Sequence, residues 1–178
     1  MQTLFCLLFT NVFIFTSYNT YSKVIIDKKT DTDTSIISRE YLDIIECTDS
    51  VVWYLLDPMS EDTTSLRLNN NIEILFHKAD TITDRINSFK YTLLNPKSFV
   101  VSNLVKECTF LPDVAACLYS EKGTLYFYYS FYCDLCRFSS NEKYLEIDGE
   151  LIRKEILGIV CDIFPNDRYF RNLKRREK

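Results

Sequence analysis

The apolar positions of this chain recur mostly at helical spacing. From Ile37 they fall at Tyr41, Ile44, Ile45, Val51, Val52, Leu55 and Leu56, which predicts a helix with Cys47 beside its stripe and Asp57-Pro58 as its stop. Leu68, Ile72, Leu75, Ala79, Ile82, Ile86, Phe89 and Leu93 then repeat every three or four residues up to Asn95-Pro96. That spacing predicts a long amphipathic helix, packed within a bundle more readily than paired in a coiled coil. Pro96 suits the first turn of a third helix carrying Val100, Val101, Leu104, Val105 and Cys108, which Leu111-Pro112 would break. Asp113 is placed to cap a short turn containing Cys117.

The run Leu125 to Tyr132 reads as helix or strand, being rich in aromatic residues and poor in β-branched ones. Helix is favoured because Cys133 and Cys136, three residues apart, would then share a face continuous with Tyr129 and Tyr132. The last helix starts near Asp148-Gly149-Glu150, buries Ile152, Ile156, Ile159, Val160 and Ile163, and stops at Pro165. Together these elements predict an all-α fold, a bundle of about five amphipathic helices over residues 35–167.

The N-terminus has a different pattern. Leu4 to Phe15 is apolar but shorter than the ~20 residues a spanning helix needs. Its length suits a secretory signal, and Thr20 and Ser22 are short residues at the −3 and −1 positions of a cleavage site after Ser22. Residues 1–22 are therefore expected to be a signal peptide, although Met1-Gln2-Thr3 lacks the usual basic residue and an uncleaved anchor or buried strand is the alternative. Residues 23–34 read as a polar, flexible leader. Asp31, Asp33 and Ser35 briefly resemble a calcium loop, but Ile36 and Leu42 occupy the required glycine and glutamate positions. Such a protein is expected to be secreted or held in the lumen of the secretory pathway.

Composition narrows the class further. With 47% hydrophobic and 15% aromatic residues the chain can bury a core, and three glycines and four prolines argue for regular elements. The net charge is −4, yet residues 168–178 carry six basic residues (Arg168, Arg171, Lys174, Arg175, Arg176, Lys178) against Glu177. The correspondingly acidic remainder argues against nucleic-acid binding. The basic tail reads as a solvated terminus or as a contact for an anionic membrane.

No catalytic constellation stands out. His77 is the only histidine, inside an amphipathic segment with no nucleophile motif beside it. Gly123, Gly149 and Gly158 are isolated, so no phosphate loop can be built. Glu146, Asp148 and Glu150 suit a helix start. Cleavage of the leader would remove Cys6 and leave six cysteines: Cys47, Cys108, Cys117, Cys133, Cys136 and Cys161. In an exported chain that even count reads as a disulfide framework. Zinc would need a second close pair, and a redox Cys-x-x-Cys would need a β-α-β context. The expectation is a protein without catalytic residues, metal or cofactor, and not an enzyme.

Cys133-Asp134-Leu135-Cys136, a gap, then Glu155 to Cys161 and Pro165 resembles the first half of a saposin-like domain. In permuted members the second half precedes the first, and Cys47, Cys108 and Cys117 lie upstream accordingly. The resemblance implies pairing of Cys133 with Cys117, Cys136 with Cys108 and Cys161 with Cys47. It also implies a non-catalytic protein that binds lipid or membrane surfaces. Tyr128, Tyr132, Arg171, Lys174, Arg175 and Arg176 are the contact residues that would serve it. The alternative is a secreted helical interaction protein that binds a receptor or another exported protein through Leu68 to Leu93.

Overall fold

The first predicted helix divides where its periodicity changes. Arg39–Glu46 (α1) is helical, capped by Ser38, whose side chain accepts from the Tyr41 amide, and it buries Tyr41, Ile44 and Ile45. Thr48–Asp57 (β1) is a strand in which Val51, Trp53 and Leu55 face the main core while Val52 and Tyr54 face the other way. The long amphipathic segment divides too, into Arg67–Leu68 (β2), Ile72–Asp80 (β3) and the helix Thr83–Leu94 (α2). Buried Asp80 sets that joint. Its carboxylate accepts from Arg85 Nε and Nη2 at 2.7 and 2.6 Å and from the Ile82 amide at 3.1 Å, turning the strand into the helix.

Val114–Ser120 (β4), Gly123–Ser130 (β5), Leu135–Ser140 (β6) and Lys143–Asp148 (β7) form successive antiparallel hairpins. Gly123, at φ 135°, closes the β4–β5 turn in a conformation that disfavours any side chain. Two further helices, Arg153–Ile163 (α3) and Arg168–Arg176 (α4), end the chain. The computed structural model describes residues 36–60, 67–68, 72–99, 106–141 and 143–177, and the expected signal peptide and the whole of the leader lie outside them. All the described strands join one antiparallel sheet in the order β2-β3-β1-β4-β5-β6-β7.

The protein is therefore not the expected all-α bundle. The aromatic run Leu125 to Tyr132 is mostly β5, Cys117 lies in β4 rather than a turn, and Cys136 lies in β6. The helix that the saposin-like resemblance places at Cys133 and Cys136 is a tight turn leading into a strand. Pro96–Ser98 is a single 3-10 turn capped by Asn95, and residues 100–105 of the third predicted helix are outside the described set. α3 matches its expectation, burying Ile156, Ile159, Val160 and Ile163.

The helices lie on one face of the sheet, and the aromatic content is spent there. Trp53, Phe89, Phe127 and Phe138 are fully buried, in a chain of ring contacts at 4.7, 5.5 and 5.3 Å. The opposite face holds a smaller cluster of Leu56, Leu68, Ala115 and Tyr128, with Tyr54, Ile72, Ile74, Phe110 and Tyr126 half-buried around it. Cys108 and Cys133 form a disulfide with Cα atoms 6.2 Å apart, whereas Cys47, Cys117, Cys136 and Cys161 are free thiols. The six-cysteine framework and the three pairings implied by the resemblance are replaced by this one bridge, the remaining thiols lying on separate elements: Cys47 at the end of α1, Cys117 in β4, Cys136 in β6 and Cys161 in α3. No helix among the described residues is long and apolar enough to cross a membrane.

Candidate functional site

The β5–β6 turn, the start of α3 and the whole of α4 meet at one end of the sheet. Asp134 adopts φ 52°, a left-handed conformation that Asp tolerates, so the chain reverses within residues 131–134. Arg153 ties the turn to both helices: it donates to the Phe131 carbonyl at 2.8 Å, to the Asp134 carboxylate, and to Glu177 beyond the end of α4. From the other side Lys106 donates to the Cys133 carbonyl at 3.2 Å and to Asp148 at 3.0 Å. The Cys108–Cys133 bridge lies beside it. Tyr129 adds a hydrogen bond to the Gly149 carbonyl at 3.0 Å. Within this clamped turn Tyr132 is 80% exposed.

α4 starts at Asp167, which accepts from the Phe170 amide at 3.0 Å. Phe170 is buried with its ring 5.4 Å from Phe131, and Glu177 is held by Arg153. The basic stretch is thus a docked helix and not a frayed end. Arg168, Arg171, Lys174, Arg175 and Arg176 all point to solvent, and among the described residues no carboxylate forms an ion pair with them. Lys174, Arg175 and Arg176 also stand in the last turn, where cations favour the helix dipole.

Of the residues expected to contact a ligand, Arg171, Lys174, Arg175 and Arg176 lie exposed on α4, and Tyr132 lies exposed in the turn that Phe131 and Arg153 join to that helix. Tyr128 does not. It lies on the opposite sheet face, buried in the smaller cluster. Leu68 to Leu93 is no continuous helical surface. Arg153, Asp134 and Lys106, which hold the site, had no signal beyond an Asp in a turn-prone position.

The smaller sheet face is rich in hydroxyl groups. Cys117 shares hydrogen bonds with Tyr119 and Tyr126, and burial pushes its thiol up in pKa. Tyr119 is raised too, first through its bond to Cys117 and then by burial. Arg137 is stacked between Phe110 and Tyr144 at 4.2 and 4.6 Å and paired with Glu146 at 2.7 Å, an occupied cation. Burial raises Cys136 and Cys161 as well, so these thiols are poor nucleophiles. His77 is exposed on β3 with its ring 6.1 Å from Tyr54. Among the described residues no group of three His, Cys, Asp or Glu side chains is placed to hold a metal. A crevice between Leu42, Leu93, Pro96 and Phe99 has a volume of ≈ 10 Å³, the room of one water.

The chain matches no protein-family model, no curated protein and no solved structure.

Proposed function

We propose that this is an exported, non-catalytic protein that attaches peripherally to anionic phospholipid surfaces through α4 and Tyr132. The observation that supports it is the docked α4, which exposes five cations that form no ion pair among the described residues and is joined through Phe170 and Phe131 to the turn that exposes Tyr132. Each such cation near an anionic surface is worth about 1 kcal/mol. A tyrosine at the same level adds an amphipathic ring suited to the headgroup region. The mode differs from that of a saposin, whose helices share their apolar faces with acyl chains. Here those faces are already committed to the sheet.

Flotation with phosphatidylcholine vesicles, with and without phosphatidylserine, tests the reading. Wild type is expected to float only with the anionic vesicles and to be released as salt rises, since screening weakens exposed charges. Replacing Lys174, Arg175 and Arg176 by Ser should remove most of the binding, and Tyr132→Asp should weaken it further. Folded wild type that stays soluble with anionic vesicles at low salt, or a triple variant that binds as wild type does, overturns the proposal.

A further inference from the structure

The two edges of the sheet are finished differently. At β7 the edge is short and charged, with Lys143, Glu146 and Asp148. Its Lys143 carbonyl accepts from the Tyr41 hydroxyl at 3.3 Å, and Asp148 is held by Lys106. These are the devices that keep a strand edge from recruiting another strand. At the other edge β2 pairs only with Ile72 and Glu73, so Ile74–Asp80 has no outer partner strand among the described residues. Residues 75–79 are all exposed, and they include two large apolar side chains, Leu75 at 53% and Phe76 at 69%.

We infer that this edge pairs with the same edge of a second copy, antiparallel, with His77 on the two-fold axis. The free edge supports this occupant because it complements itself. Its midpoint is His77, and using its full length sets Phe76 opposite the second copy's Lys78. Both residues lie on the helix face, since their β1 partners are the core residues Leu55 and Trp53. Directly opposed residues share a face at contact distance. The pairing therefore brings an ammonium to a phenyl ring, and symmetry supplies the contact twice. Lys78 lies on that face, where its ammonium donates to the Ile163 carbonyl at 3.2 Å. Leu75, which β3 bulges out of its register with β1, falls opposite Ala79, where a methyl group leaves room for it. The resulting dimer has one continuous sheet across both copies and leaves both α4 helices free. Its interface is at the small end of the range, so it is weak and concentration-dependent.

Sedimentation equilibrium over a concentration series tests the pairing. Wild type should pass from monomer to dimer by concentrations on the order of 100 µM. The two charge variants discriminate self-pairing from general stickiness. Phe76→Lys sets two ammonium groups against each other and should weaken the dimer by at least about tenfold. Phe76→Glu sets a carboxylate opposite the second copy's Lys78 and should retain or tighten it. In a Cys47→Ser background, His77→Cys should form a disulfide-linked dimer under mild oxidation while Glu121→Cys, on the distant β4–β5 turn, should not. A wild type that stays monomeric, equal loss in both folded charge variants, a dimer indifferent to Phe76→Lys, or growth beyond dimers overturns the inference.

Discussion

The two faces of the sheet are built from the same strands yet differ in kind. On the helix-covered face Trp53, Phe127, Tyr129 and Phe138 are fully buried under α1, α2 and α3. On the other face their immediate neighbours Tyr54, Tyr126 and Arg137 are half-buried, meeting hydroxyl, thiol and guanidinium partners. Alternation by one residue moves a side chain from one regime to the other. The comparison teaches where stability resides: the first face carries most of the apolar burial, and the second tolerates polar chemistry because its rings keep access to water.

The sharpest test of that division is a pair of adjacent truncations in β5. Phe127→Ala opens a cavity in the closed core and is expected to cost about 3–5 kcal/mol in urea unfolding. Tyr126→Ala, one residue away, is expected to cost about 1–2 kcal/mol because its ring is only half removed from water. Equal losses would break the comparison.

A smaller effect is expected where the closed face meets the site. A Cβ at Gly149 would stand 2.9 Å from the fully buried Tyr129 ring, with Cys136 at 3.5 Å. The ring has little room to retreat, so Gly149→Ala is expected to cost about 1–3 kcal/mol. It should also loosen the 131–134 turn, which faster amide exchange there would report.

The smallest effect is a dependence on alkaline pH. Burial pushes both the Tyr129 hydroxyl and the Cys136 thiol well above their ordinary values. The folded protein keeps both groups neutral, so their stability is fully present below the unfolded values, about 8.5 for Cys and 10 for Tyr. It is lost as pH rises through that window toward the folded values, at about 1.4 kcal/mol per pH unit for each group. Urea titrations between those two values should show a shallower decline in Cys136→Ala than in wild type. An unchanged slope would place the thiol in contact with solvent.

The elements that were legible share one property: a single apolar face. α3 has one, with Pro165 just beyond its end, and its expected extent nearly coincides with the helix. β1 failed because Val51 to Leu56 is apolar at both parities, and a continuous apolar run fits a buried strand or a buried helix equally well. β3 failed for a different reason. Its bulge at Leu75 interrupts the two-residue alternation, so Ile72, Leu75 and Ala79 fall at spacings that imitate a helix. In β5 the spacing of Cys133 and Cys136 imitates a helical face, while the aromatic residues of the run favour a strand.

By itself, the sequence determined that a core would form, that the last long helix would end before Pro165, and that positive charge would collect at the C-terminus. These are properties of composition and of short segments, independent of what lies across from them. Tertiary structure decided the rest. It made Cys108 rather than Cys117 the partner of Cys133, buried Tyr128 while exposing Tyr132, and clamped the basic segment into a helix through Phe170 and the Arg153–Glu177 pair. Each of these depends on which residue of a distant strand or helix comes within a few ångströms. That is set by sheet register and by the turns that join the strands, and no local period encodes it.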